Sequence, residues 1–408
     1  MDWHATRRDE RTGIEPSIYY RNWQSDELVD ENLIHPSLYC IVYERTIVFD
    51  AYNPSTSRIC ANVDGRWTDY FLSRRFSWLP TDFVISPDGK SAKALGYINN
   101  LNPYIHSEMN PVIELFVVSF VPLWERVLTE SRADFSPASR IRTGGSAEED
   151  EDYRDHENHT LQLPPIRPEF IPPWEPSPVI LKDRTLQIIT PEKPRYPCGS
   201  WHVEGMINEA IVSTGLNYYD EENISTSLLA FRMVVDEPGY LEHDDERAAQ
   251  AIYGFERVDR LTQVLGSVVT KQSRCLAFSN CSQYQVQPFE LSDKTKPGHR
   301  KIIALLLIDP ALEEPRPSTS NAPPQQPDVM RFLLRDIVAS LPADKTGRKK
   351  GIGKLPAELL DSIVDQADWL MTRREAEEFR LGLMDERKVM VKEDDEMMFA
   401  PEFNMCEH

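Results

Sequence analysis

Apolar and polar positions change their rhythm three times along the chain. Residues 38–49 (LYCIVYERTIVF) are β-branched and aromatic, which predicts one or two strands. Residues 86–89 (Ser-Pro-Asp-Gly) predict a turn. Residues 111–130 place Val112, Leu115, Phe116, Ser119 and Phe120 on one side at spacings of three and four, a helical pattern that opens on proline. Pro122 lies inside it, so a kink or a split into two shorter helices is expected. From 179 to 310 the helical period is short-lived, and candidate strands follow one another at 200–204, 227–235, 264–270, 275–278, 284–289 and 301–308. Asp-, Asn-, Gly- and Pro-rich turns separate many of them, the pattern of a closed or double-sheet antiparallel β structure. After residue 328 the period is helical again: 356–366 carries apolar residues at 359, 360, 363 and 364, and Thr372-x-x-Glu375 opens a second helix with a capping box.

Two stretches interrupt this order. Residues 141–178 combine Gly144-Gly145, an acidic run at 148–152 and a proline-rich end, and 313–328 contains PRPSTSNAPPQQP; both predict linkers. The expected organisation is an N-terminal α/β region (1–140), a linker (141–178), a β core (179–312), a linker (313–328) and a helical C-terminal region (329–408). His156 and His159 stand three apart in the first linker, but a polar, Pro-flanked tract is a poor metal scaffold.

Hydrophobic residues make up 40% of the 408, enough for a sizeable core, and the formal charge of −21 opposes binding to nucleic acid or an anionic membrane surface. The basic cluster Arg348-Lys349-Lys350 is set among glycines and reads as a solvated loop. Six cysteines without a Cys-x-x-Cys pair fit reduced thiols, and the charged first thirty residues show no secretory pattern. A cytoplasmic protein is the expectation, with the sequons at Asn158 and Asn223 unused. Cys275 and Cys281 read as ordinary buried thiols. Gly89-Lys90-Ser91 lacks the earlier glycine of a phosphate loop, and no Gly-x-Ser-x-Gly or His-Glu-x-x-His motif is present.

The sharpest chemical pattern is Trp201-His202-Val203-Glu204-Gly205. On a strand, residues i and i+2 share a face, so an imidazole and a carboxylate converge on one point, as two members of the facial triad that holds iron(II) do. Farther on, Arg300 opens a strongly apolar strand; its planar fork suits a carboxylate.

Residues 190–225 (TPEKPRYPCGSWHVEGMINEAIVSTGLNYYDEENIS) and 274–310 (RCLAFSNCSQYQVQPFELSDKTKPGHRKIIALLLIDP) resemble an uncharacterised fungal family whose core is similar to iron(II)/2-oxoglutarate oxygenases. The likeness extends to HPSLYCIVYERT, GYINNLNP, VPLWERVL and the terminal FNMCEH, and so covers most of the chain. It implies an α+β protein around a double-stranded β-helix (jelly-roll) core. Its implied cofactors are Fe(II) and 2-oxoglutarate, with His202, Glu204 and Tyr284 at the metal and Arg300 on the far carboxylate of the oxo acid. The implied activity couples decarboxylation of the oxo acid to oxidation of a small molecule, including one of secondary metabolism, or of a protein side chain.

Two departures bear on that expectation. Family members carry Gln-His where this chain has Gln283-Tyr284, and a neutral phenol with a pKa of about 10 is a poor iron(II) ligand. The segment 186–190 also looks shorter than the family's strand. The alternatives are a ligating Tyr284, recruitment of His299 or His243, a two-ligand site completed by water, or a non-catalytic jelly roll that binds a partner.

Overall fold

The computed structural model describes residues 29–32, 35–49, 56–58, 71–130, 177–235, 250, 256–312, 317–342 and 351–403. The N-terminal part contributes short strands: β1 (Val29–Asn32), β2 (Ile41–Val42), β3 (Ile47–Phe49), β4 (Thr56–Arg58), β5 (Phe76–Ser77), β6 (Thr81–Ile85) and β7 (Ala92–Ala94), followed by helix α1 (Met109–Glu130). The β core comprises β8 (Ser177–Ile189), β9 (Arg195–Tyr196), β10 (Ile211–Glu222), β11 (Ser227–Val234), β12 (Thr262–Thr270), β13 (Arg274–Ser279), β14 (Gln283–Val286), β15 (Phe289–Glu290) and β16 (Gly298–Ile308). Helices α2 (Pro327–Ser340), α3 (Ala357–Asp365) and α4 (Arg373–Glu393) close the chain, the last continuing into a π-helical turn, Asp394–Met398. This is a mixed α and β fold of antiparallel sheets.

The larger sheet runs β13-β10-β16-β8-β6-β7, with β1 pairing the far end of β8. The smaller sheet runs β12-β11-β14. Side-chain alternation on β16 explains the layering. Ile303, Leu305 and Leu307 point to one face and pack with Ile113, Val117, Phe120, Val121 and Trp124 of α1. Ile302 and Ala304 point to the other, with Leu216, Tyr218, Leu229 and Tyr284. The larger sheet is therefore covered by α1 outside and by the smaller sheet inside, and its central strands are buried on both faces.

Pro122 does not split α1, which is one helix from Met109 to Glu130. Its ring is on the exposed side, where water solvates the carbonyl deprived of its helical partner. The segment 186–190 belongs mostly to β8, which pairs with β16 from Gly298↔Ile189 to Leu307↔Val179. In the second expected linker the described residues from 317 turn at 318–322 and then lead into α2, and Ser318, Thr319, Ala322, Gln325 and Gln326 are buried. Gln325 donates to the carbonyls of Tyr39 and Cys40 and accepts from Thr46. The capping box of α4 is present, Thr372 Oγ1 accepting from Glu375 N and Glu375 accepting from Thr372 N. Cys40, Cys198, Cys275 and Cys281 are free thiols, but Cys281 is exposed rather than buried because it sits in the β13–β14 turn. His156, His159, His243 and the cluster at 348–350 lie outside the described residues. Among those described, no helix is long and apolar enough to cross a membrane.

Gly215 is where α1 meets β10. A Cβ there would lie 2.8 Å from Phe120 Cδ1 and 2.9 Å from Cε1, closer than a rigid ring tolerates. Gly215→Ala is expected to destabilise the fold by about 1–3 kcal/mol, the usual cost of overpacking. Urea denaturation would register it as a lower midpoint with an unchanged slope.

Candidate functional site

His202 is not in a regular strand. A single antiparallel bridge ties it to Tyr284: Tyr284 N donates to His202 O (3.0 Å) and His202 N donates to Tyr284 O (3.2 Å). Their rings lie 4.3 Å apart between centroids, tilted by 49°. His202 Nδ1 is 2.8 Å from the carbonyl of Ser200. A carbonyl only accepts, so Nδ1 carries the hydrogen, and in the neutral ring Nε2 is the basic nitrogen. That is the tautomer metal-binding histidines adopt when a backbone carbonyl orients them.

Glu204 follows on the same face and is only 4% exposed. Asn280 holds its backbone, accepting from Glu204 N (2.9 Å) and donating to Glu204 O (2.8 Å) and Ile211 O (3.0 Å). Directly after Glu204 the chain reverses through Gly205 at φ +73°, where a Cβ would meet Ile211 Cδ1 at 2.5 Å. Glu209 fastens the turn: its carboxylate accepts from Met206 N (2.8 Å), from Trp78 N (2.8 Å) and from the Arg387 guanidinium.

Tyr284, on β14, directs its hydroxyl to Glu204 Oε1 and donates a hydrogen bond to it. Burial pushes this phenol well above its ordinary pKa, and the adjacent Glu204 charge and hydrogen bond push it further. Tyr284 is consequently a neutral donor at physiological pH. Its ring contacts Phe278 edge-on (centroids 4.9 Å apart), and Phe278 meets Phe231 in the same manner (4.9 Å).

Arg300 lies in the same interior and is fully buried, at 0% exposure. Its Nη1 donates to the hydroxyl of Ser227, with Thr270 Oγ1 at 3.4 Å, and the guanidinium lies 4.6 Å from the Phe289 ring centroid and 5.6 Å from that of Tyr218. The buried Tyr218 hydroxyl has no hydrogen-bond partner among the described residues. Its pKa is pushed up to about 12 by burial, with the Arg300 cation opposing and Glu221 reinforcing the rise. His299 faces the other way and meets Asp220 at 3.0 Å, so it does not join His202 and Glu204.

The structure thus brings His202 and Glu204 to Tyr284 and buries Arg300 on the larger sheet beside Tyr218. Among the described residues no group of three or more His, Cys, Asp or Glu side chains could hold a metal ion. Sequence reasoning missed Asn280 and Glu209, neither of which carries a local signal.

Residues 17–332 match a family model described as "Protein of unknown function (DUF4246)". The chain belongs to the DUF4246 family. No curated protein matches this DUF4246 chain. Among solved structures it is similar to the selenomethionine-labelled Fe(II)/α-ketoglutarate-dependent dioxygenase TqaL, with 12% identity over 59% of this chain and 71% of that one and a TM-score of 0.27. It also matches hydroquinone 1,2-dioxygenase PnpCD, at 12% identity over 31% and 59% with a TM-score of 0.14. A third match is hydroquinone 1,2-dioxygenase from Sphingomonas sp. TTNP3, at 8% over 33% and 68% with a TM-score of 0.13. Scores this low add nothing to the argument from geometry.

Proposed function

We propose that this DUF4246 protein is an iron(II)/2-oxoglutarate-dependent oxygenase built on a double-stranded β-helix, acting on a small molecule or a protein side chain. The strand pairing supports the fold. Taking β8, the 195–204 segment, β10, β11, β12, β13, β14 and β16 in order, the first pairs with the last (β8 with β16). The second meets the seventh (His202 with Tyr284), the third the sixth (β10 with β13) and the fourth the fifth (β11 with β12). That is the pairing of one long hairpin wound into two sheets.

The observation that carries the function is the arrangement within this barrel: a half-buried imidazole and a buried carboxylate that both meet Tyr284, and an arginine sealed into the same interior beside an unsatisfied phenol. The co-substrate fits its end. Arg300 and the Tyr218 hydroxyl would hold the far carboxylate of 2-oxoglutarate, with Ser227 bracing the guanidinium. At the metal end His202 and Glu204 fit as donors, and the third position belongs to a protonated phenol. Iron(II) bound there would supply the activation of dioxygen and the decarboxylation of the oxo acid. The chain's own tasks are plain: Ser200 fixes the His202 tautomer, Asn280 fixes the Glu204 backbone, and Phe231 and Phe278 keep water from the space beside Tyr284.

The Tyr284–Glu204 hydrogen bond favours a second reading, a non-catalytic barrel that keeps the pocket for binding. Anaerobic titration of the folded protein with Fe(II) and 2-oxoglutarate separates the two. A saturable visible charge-transfer band, lost in Arg300→Ala, is the result expected of the oxygenase. No band in the wild-type protein but a band in Tyr284→His would assign the second reading. No band in either would remove the metal site altogether.

A further inference from the structure

The segments that carry Glu204 and Tyr284 are both fastened to one element beyond the family match, which ends at residue 332. Arg387, on α4, forms an ion pair with Glu209 in which the side chains are 10% and 1% exposed, and its guanidinium lies 3.5 Å from the centroid of the Trp78 ring. Glu209 in turn accepts from Met206 N, at the turn that Glu204 enters. Asp394, where α4 passes into its π-helical end, accepts from Gln283 Nε2 at 2.7 Å, and Gln283 immediately precedes Tyr284. Arg232 braces the same corner. It donates to Gln283 Oε1 (2.8 Å from Nε), pairs with Asp395, and stacks over Trp201, the residue before His202, at 4.6 Å. Arg387 and Asp394 are two helical turns apart, about 10 Å along one rigid rod.

We infer that α4 is a positioning strut of the site: Arg387 acting through Glu209, and Asp394 acting through Gln283, set how Glu204 and Tyr284 stand relative to each other. Neither residue touches the site itself, and the functional meaning of the strut rests on the proposed role of Glu204 and Tyr284. Two independent contacts two turns apart near the C-terminal end of one helix hold two segments that elsewhere are joined by the His202–Tyr284 bridge and by Gly199, which donates to Val286 O and accepts from Gln285. Outer-shell residues of this kind shift metal affinity by about 10–100-fold when removed, without themselves being ligands.

Amide hydrogen exchange on the full-length, metal-free chain tests this directly. Arg387→Met is expected to speed exchange at the Glu204 and Met206 amides by about tenfold or more, and Asp394→Ala to do so at Tyr284. The β10–β16 ladder, followed at Leu216 and Leu305, should keep its protection. Arg387→Lys should recover part of the effect, and Arg374→Ala, which breaks an exposed pair with Glu378 on the same helix, should leave the site unchanged. Should Arg387→Met fail to fold, Arg387→Lys and Asp394→Ala carry the comparison. Exchange that rises equally in the ladder and the site, or in neither, overturns the strut. A parallel titration with Co(II) keeps the two ideas apart. Wild-type binding weakened about tenfold in Asp394→Ala supports both. A wild type that binds no Co(II), with the local exchange pattern intact, leaves the strut standing and removes the metal reading.

Discussion

Replacing Tyr284 with histidine is expected to tighten Fe(II) binding by about 100-fold or more, since a missing first ligand should count for at least as much as a missing outer partner. The backbone at 284 is already fixed by its two hydrogen bonds to His202, so the new imidazole would start from the same Cβ on the same inward face. The substitution removes the phenol that now donates to Glu204 and supplies a neutral nitrogen donor that needs no deprotonation. It also forfeits the edge-on contact with Phe278, a loss of about 0.5–1.5 kcal/mol that the fold should tolerate. Equilibrium titration under argon, with unfolding followed on the same samples, measures both effects. No gain in affinity from a folded Tyr284→His protein, with no charge-transfer band in the wild type either, would mean that His202 and Glu204 do not act as a metal pair, and the oxygenase reading would fall.

The candidate pair His202 and Glu204 could be picked out because the information is local. A His-x-Glu spacing on extended chain puts two donors on one side whatever surrounds them. Arg300 was legible for a related reason: a charge that opens an apolar strand has few places to go except a sealed interior. The strands β11, β12 and β13 were also readable from β-branched and aromatic composition between turn residues. By contrast β10, the centre of the larger sheet, showed no alternation because both its faces are covered, and Ser213, Thr214, Gly215 and Asn217 dilute its apolar content. β8 begins on Ser-Pro, inside the stretch read as a linker, and Lys182, Asp183 and Arg184 interrupt its apolar run, so it was not among the candidate strands. The supporting residues were invisible for a different reason. Asn280 acts across 76 positions and Arg387 across 178, and no local pattern announces a partner at that range.

Glu209→Ala should be among the most destabilising single substitutions in the chain, by about 3–5 kcal/mol, the range for breaking a buried ion pair. The reason lies in what is left behind. Arg387 would keep its charge at a site where its side chain is 10% exposed, and the Met206 and Trp78 amides would lose their acceptor together. Urea denaturation measures the loss, and a thermodynamic cycle locates it. The double variant Glu209→Gln with Arg387→Met removes both charges while the amide oxygen of the new glutamine still accepts from the backbone, so its cost should fall well below the sum of the single substitutions Glu209→Gln and Arg387→Met. Additive costs would mean that the two side chains contribute separately and that their contact is incidental. Strong coupling would mean that this turn is held from the C-terminal helix. Stability and the placement of Glu204 would then share one cause, a buried carboxylate that gathers three donors from three parts of the chain.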